Sequence, residues 1–60
     1  MRIQVNGTPR DIDDGCTLAT LVPRHQGVAC AVNGAVVRDW ELVVLREGDA
    51  VEVLTAFQGG

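Results

Sequence analysis

Residues 1–12 have the sequence MRIQVNGTPRDI, and this stretch predicts the architecture of the chain. Its first five residues alternate between apolar and polar, which is typical of a strand with one buried face. Asn6-Gly7 follows, and both residue types tolerate the positive φ angles of a tight hairpin turn. The returning segment contains Pro9, which places it at a sheet edge because proline has no N–H to donate. The chain therefore opens with a β-hairpin.

A short helix is predicted after this hairpin. A turn at residues 13–15 leads to Thr17, a suitable N-cap, and apolar residues at helical spacing begin with Leu18. Pro23 lacks the N–H that a helix needs and disfavours helical geometry in the residue before it. We therefore expect the helix to end near Val22.

A second hairpin is predicted from residues 28–32 and their return at residues 35–37. The same Asn-Gly dipeptide joins them, at Asn33-Gly34. A turn or one-turn helix then carries Trp40, which we expect to pack over the core. This second hairpin supplies two more strands to the predicted sheet.

The last predicted strand, residues 50–55, places Val51 and Val53 inward and Glu52 and Leu54 outward. It can pair with the first strand in the middle of the sheet. The resulting fold class is α+β, a β-grasp arrangement. It has a mixed sheet of four to five strands with one short helix across one face.

Size and charge exclude several classes of function. Sixty residues with a net charge of −3 make one small domain, with little room for a deep active site. The five arginines are scattered and lysine is absent, so nucleic acid is a poor partner. The first ten residues lack the apolar run of a secretory signal, and no apolar run is long enough to span a bilayer. We expect a cytoplasmic protein with no membrane or nucleic-acid partner.

The residues that most often carry chemistry are few. Cys30 is in phase with Val28 and Val32, so we expect a small buried core residue. Cys16 lies at the helix entrance, where a thiol pKa can be lowered, but a structural role is favoured there too. One histidine, His25, cannot complete a zinc site with two distant thiols. The sequence predicts no metal, no bound cofactor and no catalytic group of its own.

Several short motifs occur together in one order. They are A-V-N-G at 31–34, Val37-Arg38 with Trp40 just after, E-G-D at 47–49, V-E-V at 51–53, and Gly59-Gly60. In this order, and over nearly the whole chain, they resemble the ThiS family, the ubiquitin-like sulfur carrier proteins of thiamine biosynthesis.

The resemblance implies a function in which the chain is a protein substrate and not an enzyme. The C-terminal Gly60 carboxylate would be adenylated by an E1-like adenylating enzyme (ThiF-like) that uses ATP and Mg. A persulfide sulfur donor would then supply the sulfur that displaces AMP. The resulting thiocarboxylate would deliver sulfur to a thiazole synthase (ThiG-like).

The residues themselves agree with a carrier. A carboxylate becomes a good acyl donor only after activation, and the sequence holds no phosphate-binding loop, so activation must occur on another protein. Gly59 and Gly60 have no Cβ, so a narrow channel can close around them. We therefore expect a β-grasp domain over residues 1–56 and a flexible C-terminal tail over residues 57–60, with Gln58 and Gly59 leading to the reactive Gly60.

A partner-docking surface is predicted on the outward side of the last strand. Leu54, Ala56 and Phe57 form an apolar path toward the tail, and the predicted acidic ring around it consists of Glu47, Asp49 and Glu52. An apolar patch with an acidic rim suits a basic enzyme surface. The alternative is that Phe57 folds back on the domain and the acids aid solubility.

Other functions remain open on the sequence. The chain could carry sulfur in another pathway, as the molybdopterin carriers do, or be a ubiquitin-like modifier joined to lysines through Gly60. It could also be a non-covalent β-grasp interaction module whose tail is incidental.

Overall fold

The computed structural model describes residues 1–24 and 26–55, which form a five-stranded mixed sheet, one α-helix and one 3₁₀ helix. The strand order across the sheet is β2-β1-β5-β3-β4. The elements are β1 Arg2–Val5, β2 Thr8–Asp11, α1 Leu18–Leu21, β3 Val28–Val32, β4 Ala35–Val37, the 3₁₀ helix Trp40–Leu42 and β5 Ala50–Thr55. The predicted β-grasp fold is confirmed.

Both predicted hairpins are present, and each turns on its Asn-Gly pair. Asn6 and Gly7 have φ angles of 51° and 82°, and Asn33 and Gly34 have 53° and 87°. These left-handed conformations match the right-handed twist of the flanking strands, which is why Asn-Gly is favoured there. Pro9 lies in β2, the edge strand, as its missing N–H requires.

The last strand, β5, occupies the middle of the sheet. It runs parallel to β1, with Val5 opposite Val51, and antiparallel to β3, with Val32 also opposite Val51. The two hairpins therefore meet only through β5 in the strand order. The sequence-based prediction that the last strand pairs with the first in the centre is confirmed.

The helix α1 is a single turn whose start and end follow from its sequence. The Thr17 hydroxyl accepts a hydrogen bond from the Thr20 backbone N–H at 3.3 Å, which satisfies a donor that a helix N-terminus leaves free. The helix ends at Leu21, two residues before Pro23. Backbone hydrogen bonds from the Leu18 N–H to the Val43 carbonyl and from the Leu45 N–H to the Cys16 carbonyl, each 2.9 Å, join this region to the chain after the 3₁₀ helix.

The core lies between one face of the sheet and the layer that contains α1 and the 3₁₀ helix. Its buried members are Ile3, Leu18, Cys30, Trp40, Leu45 and Val51. Trp40 packs in this core as predicted, and its indole N–H donates to the Val37 carbonyl at 3.2 Å. None of the helices in residues 1–24 and 26–55 has the length and hydropathy that a bilayer crossing requires.

Candidate functional site

The candidate site is the end of β5, from which the predicted tail departs. β5 ends at Thr55, and Leu54 on its outer side is 58% exposed. The remaining predicted site residues lie outside the described residues; they are Ala56, Phe57, Gln58, Gly59 and Gly60. Their roles, and the division into a domain over 1–56 and a tail over 57–60, therefore stay predictions. The structure describes the strand that leads to the predicted tail.

The two sides of β5 are supported differently near its end. On the β3 side, pairing continues to the last residue, with Ala29 opposite Leu54 and Val28 opposite Thr55. On the β1 side, the strand pairing stops at Val5 opposite Val51.

Asn6, the residue after β1, makes the next hydrogen bonds to β5. The Asn6 backbone N–H donates to the Val51 carbonyl at 2.9 Å. Its side-chain Oδ1 accepts from the Val53 N–H at 2.8 Å, and its Nδ2 donates to the Val53 carbonyl at 3.3 Å. The Asn6 carboxamide therefore bonds to Val53 as the peptide group of a neighbouring strand would. The sequence predicts Asn6 only as a turn residue, because a contact with a residue so distant in the chain leaves no local signal.

Leu54 belongs to a wider apolar patch on the open face of the sheet. Paired residues share a face, so Ala29 lies beside Leu54, while Ala31 lies between Val36 and Glu52. Leu54 and Val36 are 58% and 73% exposed. We call Ala29, Ala31, Val36 and Leu54 the outer-face patch. Ala29 and Val36 were not predicted as site residues, although the alternation that turns Cys30 inward turns Ala29 outward.

The predicted acidic ring is only partly formed. Glu52 lies on the outer face, two residues from Leu54 and in the register of Ala31. Asp49 precedes β5, so it lies about 17 Å along the strand from Leu54, at the end away from the tail. The prediction that Glu47 and Asp49 surround the docking path is therefore wrong.

Glu47 and Asp49 instead hold the turn before β5 in place. The Glu47 carboxylate accepts from the Arg2 backbone N–H at 2.9 Å. The Asp49 carboxylate accepts from the Arg46 N–H at 2.8 Å and from the Asn33 side-chain amide at 3.0 Å. Aspartate side chains commonly cap turns by bonding to nearby backbone donors, as Asp49 does with the Arg46 N–H. These two acids stabilise the entry to β5 rather than the docking surface.

The two cysteines occupy the places expected of structural residues. Both are free thiols. Cys30 is buried in the core, and this burial raises the pKa of its thiol, because a thiolate would lose hydration there. The Cys16 thiol is half-buried and donates to the Thr17 carbonyl at 3.4 Å. The burial of Cys30 therefore disfavours its thiolate, the form in which a cysteine is a nucleophile.

The part of the chain that the structure describes contains no group of histidine, cysteine and acidic side chains suited to holding a metal ion. A surface groove of about 450 Å³ lies between the end of β2 and α1 and includes Asp13, Asp14 and Cys16 in its lining. The Cys16 thiol bonds to a backbone carbonyl there. The features left as a candidate site in the described residues are the end of β5 and the outer-face patch.

Comparison with known proteins identifies the family of the chain. The model of the ThiS family matches residues 3–60 of the chain. The thiamine biosynthesis protein (ThiS) from Geobacter metallireducens has a similar crystal structure, with a TM-score of 0.81 and 29% sequence identity, over 100% of both chains. A search of curated proteins finds no significant match.

Proposed function

The chain belongs to the ThiS family, and from that premise we propose that its Gly60 carboxylate carries sulfur as a thiocarboxylate for thiazole formation in thiamine biosynthesis. The single observation that supports this most strongly is the family match over residues 3–60, which includes the Gly59-Gly60 end. The domain provides a firmly paired central strand that leads directly to that end. It is a protein carrier rather than an enzyme.

The proposed chemistry begins with activation of Gly60. A C-terminal carboxylate has a pKa of about 3.5, so it is an anion at neutral pH. Its oxygen attacks the α-phosphorus of ATP, pyrophosphate leaves, and an acyl-adenylate forms. The outer sulfur of a persulfide donor then attacks the acyl carbon and AMP leaves, which gives an acyl disulfide with the donor. A thiol of a partner protein or a small-molecule thiol attacks the donor sulfur of that S–S bond, forms a new disulfide and releases the thiocarboxylate. Activation divides one difficult acyl transfer into two easier steps.

Partner proteins supply the groups that this chemistry needs. ATP and Mg bind to an E1-like adenylating enzyme, which provides charge stabilisation for the phosphoryl and acyl steps. A thiazole synthase receives the sulfur. The chain contributes a thin tail, because Gly59 and Gly60 leave room for a narrow channel to close around the backbone.

We propose that the adenylating enzyme docks on Leu54, Ala56 and Phe57, together with the outer-face patch. Leu54 and Val36 are large apolar side chains that are mostly exposed, and they lie on one face of the sheet. Exposed apolar side chains on one face are the usual mark of an interaction surface; Val36, Leu54 and Ala29 are exposed, and Ala31 between them is buried. Glu52, in the middle of the patch, favours a partner with a basic side chain at the matching position.

The test is the intact mass of the protein after incubation with the adenylating enzyme, ATP and a persulfide donor. The wild-type chain should gain one sulfur in place of one oxygen at its C-terminus. Three variants should fold normally and fail to gain sulfur: Gly60→Ala, deletion of Gly60, and one residue added after Gly60. Each misplaces or crowds the carboxylate, and a displacement of about 1 Å can reduce a rate by about 100-fold.

A synthetic chain that ends in the Gly60 carboxamide is the matched control, because it keeps the tail length and removes only the nucleophile. It should also stay unmodified. Sulfur gained at the wild-type rate by the chain with an added residue would contradict the proposal and favour a non-covalent interaction module.

A further inference from the structure

Both hairpin turns reach across to β5 through an asparagine side chain, and they do so at opposite ends of the strand. Asn33 contacts the beginning, where its Oδ1 accepts from the Ala50 N–H at 3.0 Å and its Nδ2 donates to Asp49 at 3.0 Å. Asn6 contacts Val53, near the end, with both atoms of its side-chain amide. The two asparagines have the same left-handed conformation and each make two side-chain hydrogen bonds.

Among the described residues, the Asn6 side chain makes the last hydrogen bonds to β5 on the β1 side, and they go to Val53. Strand pairing with β1 ends at Val51, and Asn6 extends the hydrogen bonding by two residues, to Val53. Leu54 and Thr55 are then paired on the β3 side. Without the Asn6 amide, the hydrogen bonds that residues 1–24 and 26–55 make to the four residues after Val51 would come from β3. A strand end that is held on one side opens more readily than one that is held on both.

We propose that Asn6 is a positioning residue for the tail: its side-chain amide fixes the end of β5 and so the direction in which residues 56–60 leave the domain. This inference rests on the proposed function of Gly60. From Thr55 to Gly60 the extended chain can reach at most about 17 Å, so the strand end sets where the carboxylate can arrive. If the strand end opens, the adenylating enzyme must order Leu54 and Thr55 as well as the tail, which lowers kcat/KM.

The turn chemistry provides a matched pair of variants. Glycine adopts left-handed φ angles without strain, and Gly-Gly is itself a favoured hairpin turn. Asn6→Gly and Asn33→Gly therefore keep both turns, and each removes two side-chain hydrogen bonds. Both bonds of Asn6 go to β5, whereas those of Asn33 go to Ala50, at the start of β5, and to Asp49 just before it. Only Asn6→Gly removes support next to the tail. The thermal midpoints of the two variants, measured first, establish that both are folded and that they lose similar stability.

The first measurement is amide hydrogen exchange by NMR, and it needs no enzyme. The Leu54 amide is the informative probe. The hydrogen bonds from Asn6 to β5 go to Val51 and Val53, so the exchange of the Leu54 amide reports opening of the strand end. We expect exchange roughly fivefold faster in Asn6→Gly than in the wild type, on the order expected for losing one net hydrogen bond. In Asn33→Gly the Leu54 exchange should change less than twofold.

The second measurement is pyrophosphate release by the adenylating enzyme with each chain as substrate. We expect kcat/KM to fall for Asn6→Gly by at most about fivefold, the factor by which opening of the strand end increases, and to fall more than for Asn33→Gly. Equal Leu54 exchange rates for Asn6→Gly and Asn33→Gly, or equal kcat/KM values, would overturn the inference, because the effect would then come from the lower stability of the whole domain. A wild-type chain that releases no pyrophosphate would refute the proposed function instead, and the Leu54 exchange would still decide the role of Asn6.

Discussion

Replacing Leu54 by alanine tests whether the outer-face patch is the docking surface. Leu54 is 58% exposed, so more than half of its side chain is available for a partner to cover. Complete burial of a leucine side chain stabilises by about 1.5–3 kcal/mol. Covering the exposed 58% would therefore contribute up to about 0.9–1.7 kcal/mol. Since about 1.4 kcal/mol corresponds to a tenfold change, Leu54→Ala should raise KM by about 4- to 16-fold.

The assay is steady-state adenylation with the chain as the varied substrate and pyrophosphate as the product. The value of kcat should change little, because the substitution removes a contact made before and during the reaction alike. Val36→Ala, on the same face, should raise KM in the same direction.

The matched control is Leu42→Ala. Leu42 is 78% exposed, but it belongs to the 3₁₀ helix, which lies on the other side of the sheet from the patch. This variant should bind the enzyme as the wild type does. A KM for Leu54→Ala within twofold of the wild type, or an equal rise for Leu42→Ala, would refute the reasoning.

Three further predictions concern the fold and its thiols. Leu18→Ala should lower the free energy of unfolding by about 2–5 kcal/mol, because Leu18 is fully buried; a small shift of the urea midpoint would show that α1 contributes little. The double variant Cys16→Ser with Cys30→Ala should keep sulfur transfer, and Cys30 of the wild type should resist alkylation. The free energy of unfolding of the wild type should fall as the pH rises above the ordinary thiol pKa of 9.0, because the unfolded chain releases the Cys30 proton more readily than the folded chain. Arg2→Ala should raise the pKa of Asp11, measured by NMR titration, because Arg2 lowers that pKa through a 2.9 Å hydrogen bond from its Nε and through its charge. The stabilisation from this pair exists at neutral pH and is lost as the pH falls through the pKa of Asp11 in the folded chain.

The sequence predicted most of the fold because its strongest signals are local. Asn6-Gly7 and Asn33-Gly34 specify their turns through φ angles that few other residues accept. Alternation then assigns a face to each strand residue, and Val51 is buried as expected. Both signals lie within a few residues of the structure they predict, so tertiary contacts did not override them.

The errors and omissions concern contacts between distant parts of the chain. Glu47 and Asp49 looked like a rim because they are acidic and close in sequence to Glu52, but both carboxylates accept hydrogen bonds at the entry to β5. The contact from Asn6 to Val53 joins residues at the two ends of the chain. An asparagine in a turn has the same local pattern whether or not its side chain bonds to another strand. Only the folded register reveals these roles.

The central place of β5 also determines how the domain assembles. Each hairpin joins neighbouring segments through a two-residue turn, so both can form within about 1–10 μs. A two-stranded hairpin alone is marginal in water, and the strand order gives the two hairpins no direct pairing with each other. The sheet is completed only when β5 enters between them, and its pairing with β1 must close a loop that includes nearly the whole domain. The strand that leads to the predicted tail is thus the one whose pairing joins the two hairpins, and a chain in which β5 is paired on both sides has a complete sheet.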